Sequence, residues 1–76
     1  MSSAVQKIIR VHRRDSAFVY AILESLEGMV SYSTLNSEAS QDYRDLSLFI
    51  PYGFIQEVDQ VLSGLRKRIF LLELNS

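Results

Sequence analysis

The chain has a single histidine, His12, which opens the run His12-Arg13-Arg14-Asp15; a second basic run, Arg66-Lys67-Arg68, follows far downstream. An imidazole can move protons near neutral pH. Guanidinium forks match phosphate and carboxylate oxygens two at a time. Proton transfer lacks a second group here, and a lone histidine at a strand end reads as a surface or interface side chain. Glu24 and Glu27 lie one turn apart on the outer face of a predicted helix, and Glu57 and Asp59 share no face. Paired acid and base work would also need a pocket. The chain contains no cysteine, so disulfides, thiolate metal sites and a cysteine nucleophile are excluded. No second histidine completes a metal set. Gly28, Gly53 and Gly64 stand singly, so there is no glycine-rich phosphate loop. The chemistry therefore reads as non-enzymatic, with no cofactor and no metal.

Anion binding is the chemistry left. Arg13, Arg14, Arg66 and Arg68 are the candidate ligand contacts, with Asp15 or His12 to orient them. The competing reading is that Arg66, Lys67 and Arg68 complement a helix C-terminus while Arg13 and Arg14 stay solvated or pair with nearby acids.

These residues need elements to position them. Val5–His12 alternates as a first strand, with Val5, Ile9 and Val11 on one face and Ile8, Arg10 and His12 on the other. Asp15 or Ser16 can cap a first helix. Its apolar stripe is Phe18, Val19, Ile22, Leu23 and Leu26, and Gly28 ends it. Met29–Leu35 follows as a second strand. Asn36–Arg44 is the polar loop of a long hairpin, and Asp45–Ile50 is the third strand, with Leu46, Leu48 and Ile50 inward. Pro51 stops that strand. Phe54–Arg66 is a second helix burying Ile55, Val58, Val61, Leu62 and Leu65. Ile69–Leu74 is a fourth strand with Phe70, Leu72 and Leu74 inward.

The order strand, helix, strand, strand, helix, strand predicts an α+β, ferredoxin-like βαββαβ two-layer sandwich. Its four-stranded antiparallel sheet, in strand order 4-1-3-2, carries two helices on one face. One such domain spans residues 1–76. The topology gathers His12, Arg13 and Arg14 with Arg66, Lys67 and Arg68 at one end, near the acids Glu38, Asp42 and Asp45. The other sheet face shows Ile8, Arg10, His12, Ser47 and Phe49, joined by Ile69, Leu71 and Met29. Exposed apolar patches on small domains mark contact surfaces, so Ile8, Arg10 and Phe49 are the candidate interface.

With 76 residues, 47% hydrophobic and 22% charged, the chain is globular with room for one core. A domain this small buries only about 60–65% of its unfolded surface, so a partner helps it. The net charge of −1 offers no general attraction to nucleic acid or anionic lipid. Lys7, Arg10, Arg13 and Arg14 interrupt any apolar run near the start, so no signal core or membrane span can be drawn. The chain reads as a bacterial-type cytoplasmic protein.

Three stretches resemble a family of short, uncharacterised bacterial proteins grouped as a domain of unknown function. They are Arg13-Arg14-Asp15-Ser16-Ala17-Phe18-Val19, then Leu26-Glu27-Gly28-Met29-Val30 with Ser33-Thr34-Leu35-Asn36, and Leu48-Phe49-Ile50-Pro51. The resemblance runs from about Ile8 to Leu74. It implies a ferredoxin-like, ACT-like domain, and no activity or site residues. ACT modules pair and hold small ligands at the shared interface, usually with a glycine in the turn after the first strand. Here His12-Arg13-Arg14-Asp15 fills that turn, and arginines suit an anionic group better than a backbone-clasped zwitterion.

Three functional readings follow. The first is a regulatory or interaction module that pairs as a homodimer, or with another protein. The second is a sensor of a small anion or metabolite at the basic end. The third is weak RNA binding. RNA-binding sheets stack bases on aromatics of the central strands; Phe49 could serve, but the first strand offers only Ile8 and Arg10.

Overall fold

Alternation in the first segment builds a strand with two different faces, and the sheet forms around it. A computed structural model describes residues 3–35 and 42–75. The elements are β1 (Ala4–His12), a 3₁₀ turn (Arg13–Asp15), α1 (Ser16–Ser25), β2 (Ser31–Leu35) and β3 (Tyr43–Pro51). A second 3₁₀ turn (Tyr52–Phe54), α2 (Ile55–Arg66) and β4 (Leu71–Glu73) complete them. The architecture is α+β, with one four-stranded sheet in the order β2-β3-β1-β4. Every neighbouring pair is antiparallel. Of the predicted hairpin loop, 36–41, including Glu38, lies outside the described residues.

One sheet face carries the core. Ile9, Val11, Leu46, Leu48, Ile50 and Leu71 are buried with Val19 and Leu23 of α1 and with Val58, Leu62 and Leu65 of α2. Polar contacts place both helices on that face. Lys7 of β1 reaches Asp59 of α2 at 2.8 Å, and Arg44 of β3 reaches the Tyr20 hydroxyl of α1 at 3.3 Å.

Several expectations need correction. Neither Asp15 nor Ser16 caps α1 by its side chain. The 3₁₀ turn takes over that role: the Ser16 N–H bonds to the Arg13 carbonyl, and the Ser16 hydroxyl donates to the same oxygen at 2.7 Å. Phe18 is 44% exposed rather than core. At 100° per residue, a stripe centred on Val19 and Leu23 leaves Phe18 at its margin. β3 begins at Tyr43, two residues before the predicted Asp45, because Tyr43 and Arg44 pair with His12 and Val11. Gly28 does sit past α1 in the left-handed region, at φ 86°.

β4 is turned over relative to its prediction. Leu71 is buried, whereas Phe70, Leu72 and Leu74 are 41%, 46% and 40% exposed. Its partners are Val11↔Leu71, Arg10↔Leu72 and Ile9↔Glu73. A one-residue change of register moves every side chain to the other face, and this segment is apolar on both faces. Glu73, in the same phase as Leu71, lies on the helix side. There it meets Arg66 at 3.1 Å and Lys7 at 3.4 Å. Ile69 and Met29 likewise pack against the core rather than joining the open face.

Candidate functional site

The sheet face away from the helices is organised as rows across the strands. Leu35 faces Asp45, Asp45 faces Arg10 and Arg10 faces Leu72. One row along, Ser33 faces Ser47 and Ser47 faces Ile8. Leu74 adjoins Ile8, to whose carbonyl its N–H donates at 2.8 Å. Ser31 faces Phe49, which faces Gln6. At the opposite end His12 faces Tyr43.

The central row holds the face's ion pair. Arg10 Nε donates to Asp45 Oδ1 at 2.8 Å and Nη2 donates to Oδ2 at 3.0 Å. The Asp45 hydrogen bond, and then its charge, raise the Arg10 guanidinium above its ordinary range. The two charges cancel locally. Around them Leu35, Phe49, Phe70, Leu72 and Leu74 are exposed. Ser47 is buried on this face, where the Gln6 amide donates to its hydroxyl at 2.9 Å.

Beyond Leu74, Asn75 extends the β4 edge with its side chain. Its Oδ1 accepts the Ile8 N–H at 2.7 Å and its Nδ2 donates to the Gln6 carbonyl at 3.2 Å. An amide side chain here does what the next strand residue would do for the backbone of β1.

The His12 end is aromatic. The His12 and Tyr43 rings are 5.1 Å apart and nearly parallel. Phe70 lies 4.9 Å from His12 and 5.6 Å from Tyr43. The Arg10 guanidinium sits 5.9 Å from the Tyr43 centroid, at the outer reach of a cation–π contact. Next to this cluster, His12, Arg13, Arg14, Asp42 and Tyr43 line an open cleft of about 580 Å³. The cleft floor is fixed by the backbone, since the Arg13 N–H donates to the Asp42 carbonyl at 2.8 Å.

Of the predicted anion contacts, Arg13 and Arg14 share this cleft, with exposed side chains. His12 lines it too, whereas Asp15 follows in the 3₁₀ turn. Arg66 is bonded to Glu73. Arg68 borders a separate groove of about 370 Å³ between the helices, with Phe18, Ile22, Val61, Gly64 and Leu65. Of the predicted interface residues, Ile8 and Arg10 are partly covered and Phe49 is 42% exposed.

Five exposed or ring-bearing residues of the open face escaped the reading of the sequence as such: Leu35, Tyr43, Phe70, Leu72 and Leu74. For Tyr43 a signal existed. The alternation of Asp45, Ser47 and Phe49 against Leu46, Leu48 and Ile50 runs back without a break through Arg44 to Tyr43. For the β4 residues it did not, because apolar side chains occupy both phases.

Glu24, placed on the outer face of α1 by spacing, accepts the Tyr32 hydroxyl at 2.9 Å. Among the described residues no group of three or more His, Cys, Asp or Glu clusters as metal ligands would. No helix among them is long and apolar enough to cross a membrane. Comparison with family models, curated proteins and solved structures returns no match for this chain.

Proposed function

We propose that this chain is a non-enzymatic, ferredoxin-like interaction module whose uncovered sheet face pairs with a second copy of itself. The element order and the strand order β2-β3-β1-β4 support the ferredoxin-like reading. The observation that carries the pairing is the exposure of Phe49, Leu72 and Leu74 around Ile8 on the face without helices. Clustered apolar side chains on a small domain mark a contact surface. Among the described residues, the one carboxylate and the one guanidinium on that face neutralise each other, so this described surface has no net charge with which to select an acidic or basic partner. A second copy presents the same neutral, apolar chemistry. A chain of this size also gains from burying more surface than it can enclose alone.

Light scattering across a dilution series tests the proposal. A mass twice that of the chain, persisting to low micromolar concentration, is the expected result. Phe49→Glu and Leu72→Glu should each give a folded monomer. Monomer at every concentration overturns the reading. A dimer unchanged by both variants moves the interface to an edge strand, where unpaired backbone groups invite pairing, and so overturns the face assignment.

A further inference from the structure

We propose that the cleft formed by His12, Arg13, Arg14 and Tyr43 binds a nucleotide, its phosphate on the arginines and its base against the aromatic rings. The cleft lies at the His12–Tyr43 end of the open face, next to the row that holds Arg10 and Leu72, and its ligand chemistry goes beyond self-association.

Three observations converge on this chemistry. Arg13 and Arg14 are adjacent, exposed and in no ion pair among the described residues. Arg10, Lys7 and Arg66, by contrast, are all paired. Two guanidinium groups on one short turn match the oxygens of a phosphate. Next, the same cleft is walled by His12 and Tyr43, which belong to a three-ring cluster with Phe70. Aromatic side chains beside a basic groove are how proteins hold unpaired bases, because every base has a π-face. Finally, the backbone of the cleft is held by the Arg13–Asp42 hydrogen bond between a β1-proximal turn and the start of β3. The backbone segments that carry the arginines and Tyr43 are thereby held together.

The composition of the cleft favours a nucleotide over a simple anion. The His12 and Tyr43 wall offers a bare phosphate no partner. A ligand with a phosphate at one end and a planar ring at the other has a partner for each wall. The ring and phosphate could come from a free mononucleotide or from one unit of a single-stranded RNA.

Chemical-shift titration of the full chain tests the assignment, with AMP, adenosine, inorganic phosphate and a short single-stranded oligoadenylate as probes at low salt. AMP or the oligonucleotide should move the His12 imidazole and the Arg13, Arg14 and Tyr43 amide signals together. Arg13→Ser/Arg14→Ser should weaken that binding by about tenfold or more. These side chains are exposed, and the Arg13 backbone bond survives, so the fold is retained. Tyr43→Leu should weaken AMP about fivefold or more, as loss of a stacked base does, and leave any phosphate response unchanged. An oligonucleotide that binds far more tightly than AMP, with affinity falling steeply with salt, assigns the site to RNA; comparable affinities assign it to the free nucleotide. Three results overturn the proposal. They are no response to AMP or oligonucleotide at millimolar concentration, an equal response to inorganic phosphate, and an equal response to adenosine.

Discussion

Arg10 on β1 and Asp45 on β3 stand directly opposite each other and join through two parallel hydrogen bonds, 2.8 Å and 3.0 Å long. The pair lies at the middle of the open sheet face, with Leu35 beyond Asp45 and Leu72 beyond Arg10. A charge held this way is self-contained, so an apolar surface can close over it at lower cost than over either group alone. Removing one partner strands the other. Asp45→Ala should therefore lower the thermal midpoint and weaken the proposed self-association, because it leaves a lone guanidinium on the proposed contact face. Arg10→Leu/Asp45→Leu should restore association. Melting curves and light scattering on the single and double variants decide this; a double variant as impaired as the single one contradicts it.

The two faces of β4 give a sharper test, because neighbouring leucines should behave in opposite ways. Leu71 is 6% exposed and Leu72 is 46% exposed. Leu71→Ala should cost about 2–4 kcal/mol in urea unfolding, as cavity-forming core truncations do. Leu72→Ala should change the stability of the monomer by no more than about 0.5 kcal/mol. Its effect should show in the dissociation constant of the proposed dimer. Equal losses from both would mean that the register of β4 is wrong.

That contrast also shows where the sequence is legible and where it is not. In β3, Leu46, Leu48 and Ile50 alternate with Asp45, Ser47 and Phe49. Only one phase of that pattern can face a core, and the structure buries that phase. In the last strand Ile69-Phe70-Leu71-Leu72 has no polar phase, and the one charge, Glu73, points the wrong way. Glu73 is tolerated on the helix side because Lys7 and Arg66, distant in sequence, come to meet it. Local pattern carries no trace of such a pairing. The basic end is divided for a similar reason. Arg13 and Arg14 sit on a turn set by β1, whereas Arg66 is claimed by Glu73 and Arg68 borders the helix groove. The strand order brings these segments near one end, but side-chain partners decide which of them share a cleft.

Backbone conformation separates two glycines that look alike in sequence. Gly28 adopts φ 86°, and a Cβ there would meet nothing within 4 Å. Any penalty for a side chain is then conformational, about 1–2 kcal/mol for Gly28→Ala. Gly64 lies within α2, with a helical backbone and equally open surroundings. Gly64→Ala should stabilise the fold by about 0.5–1 kcal/mol. Urea midpoints moving in opposite directions are expected. A gain at Gly28 or a loss at Gly64 would contradict the local geometry.

Lys7 sets the response to alkaline pH. Its Nζ lies 2.8 Å from Asp59 Oδ1 and 3.4 Å from Glu73 Oε1, tying α2 and the β4 edge to the central strand. The Asp59 hydrogen bond chiefly raises its pKa above the ordinary 10.5, outweighing partial burial, which lowers it; Glu73 adds to the rise. A base with a raised folded pKa contributes its full stabilisation below the unfolded value. It loses that contribution as the pH climbs through the folded value, because the folded state then holds the proton that the unfolded state has already released. The Tyr32 phenol is raised too, mainly by its hydrogen bond to Glu24. An acid shifted upward favours its neutral form when folded, so its contribution disappears in the same direction. Wild-type urea midpoints should therefore fall as the pH rises through about 10 and beyond. Lys7→Met should lower the midpoint at neutral pH and flatten the alkaline decline, leaving the part due to Tyr32. Tyr32→Phe in the same background should flatten it further. Parallel curves for wild type and Lys7→Met would show that the ammonium contributes no pH-dependent stability at this junction.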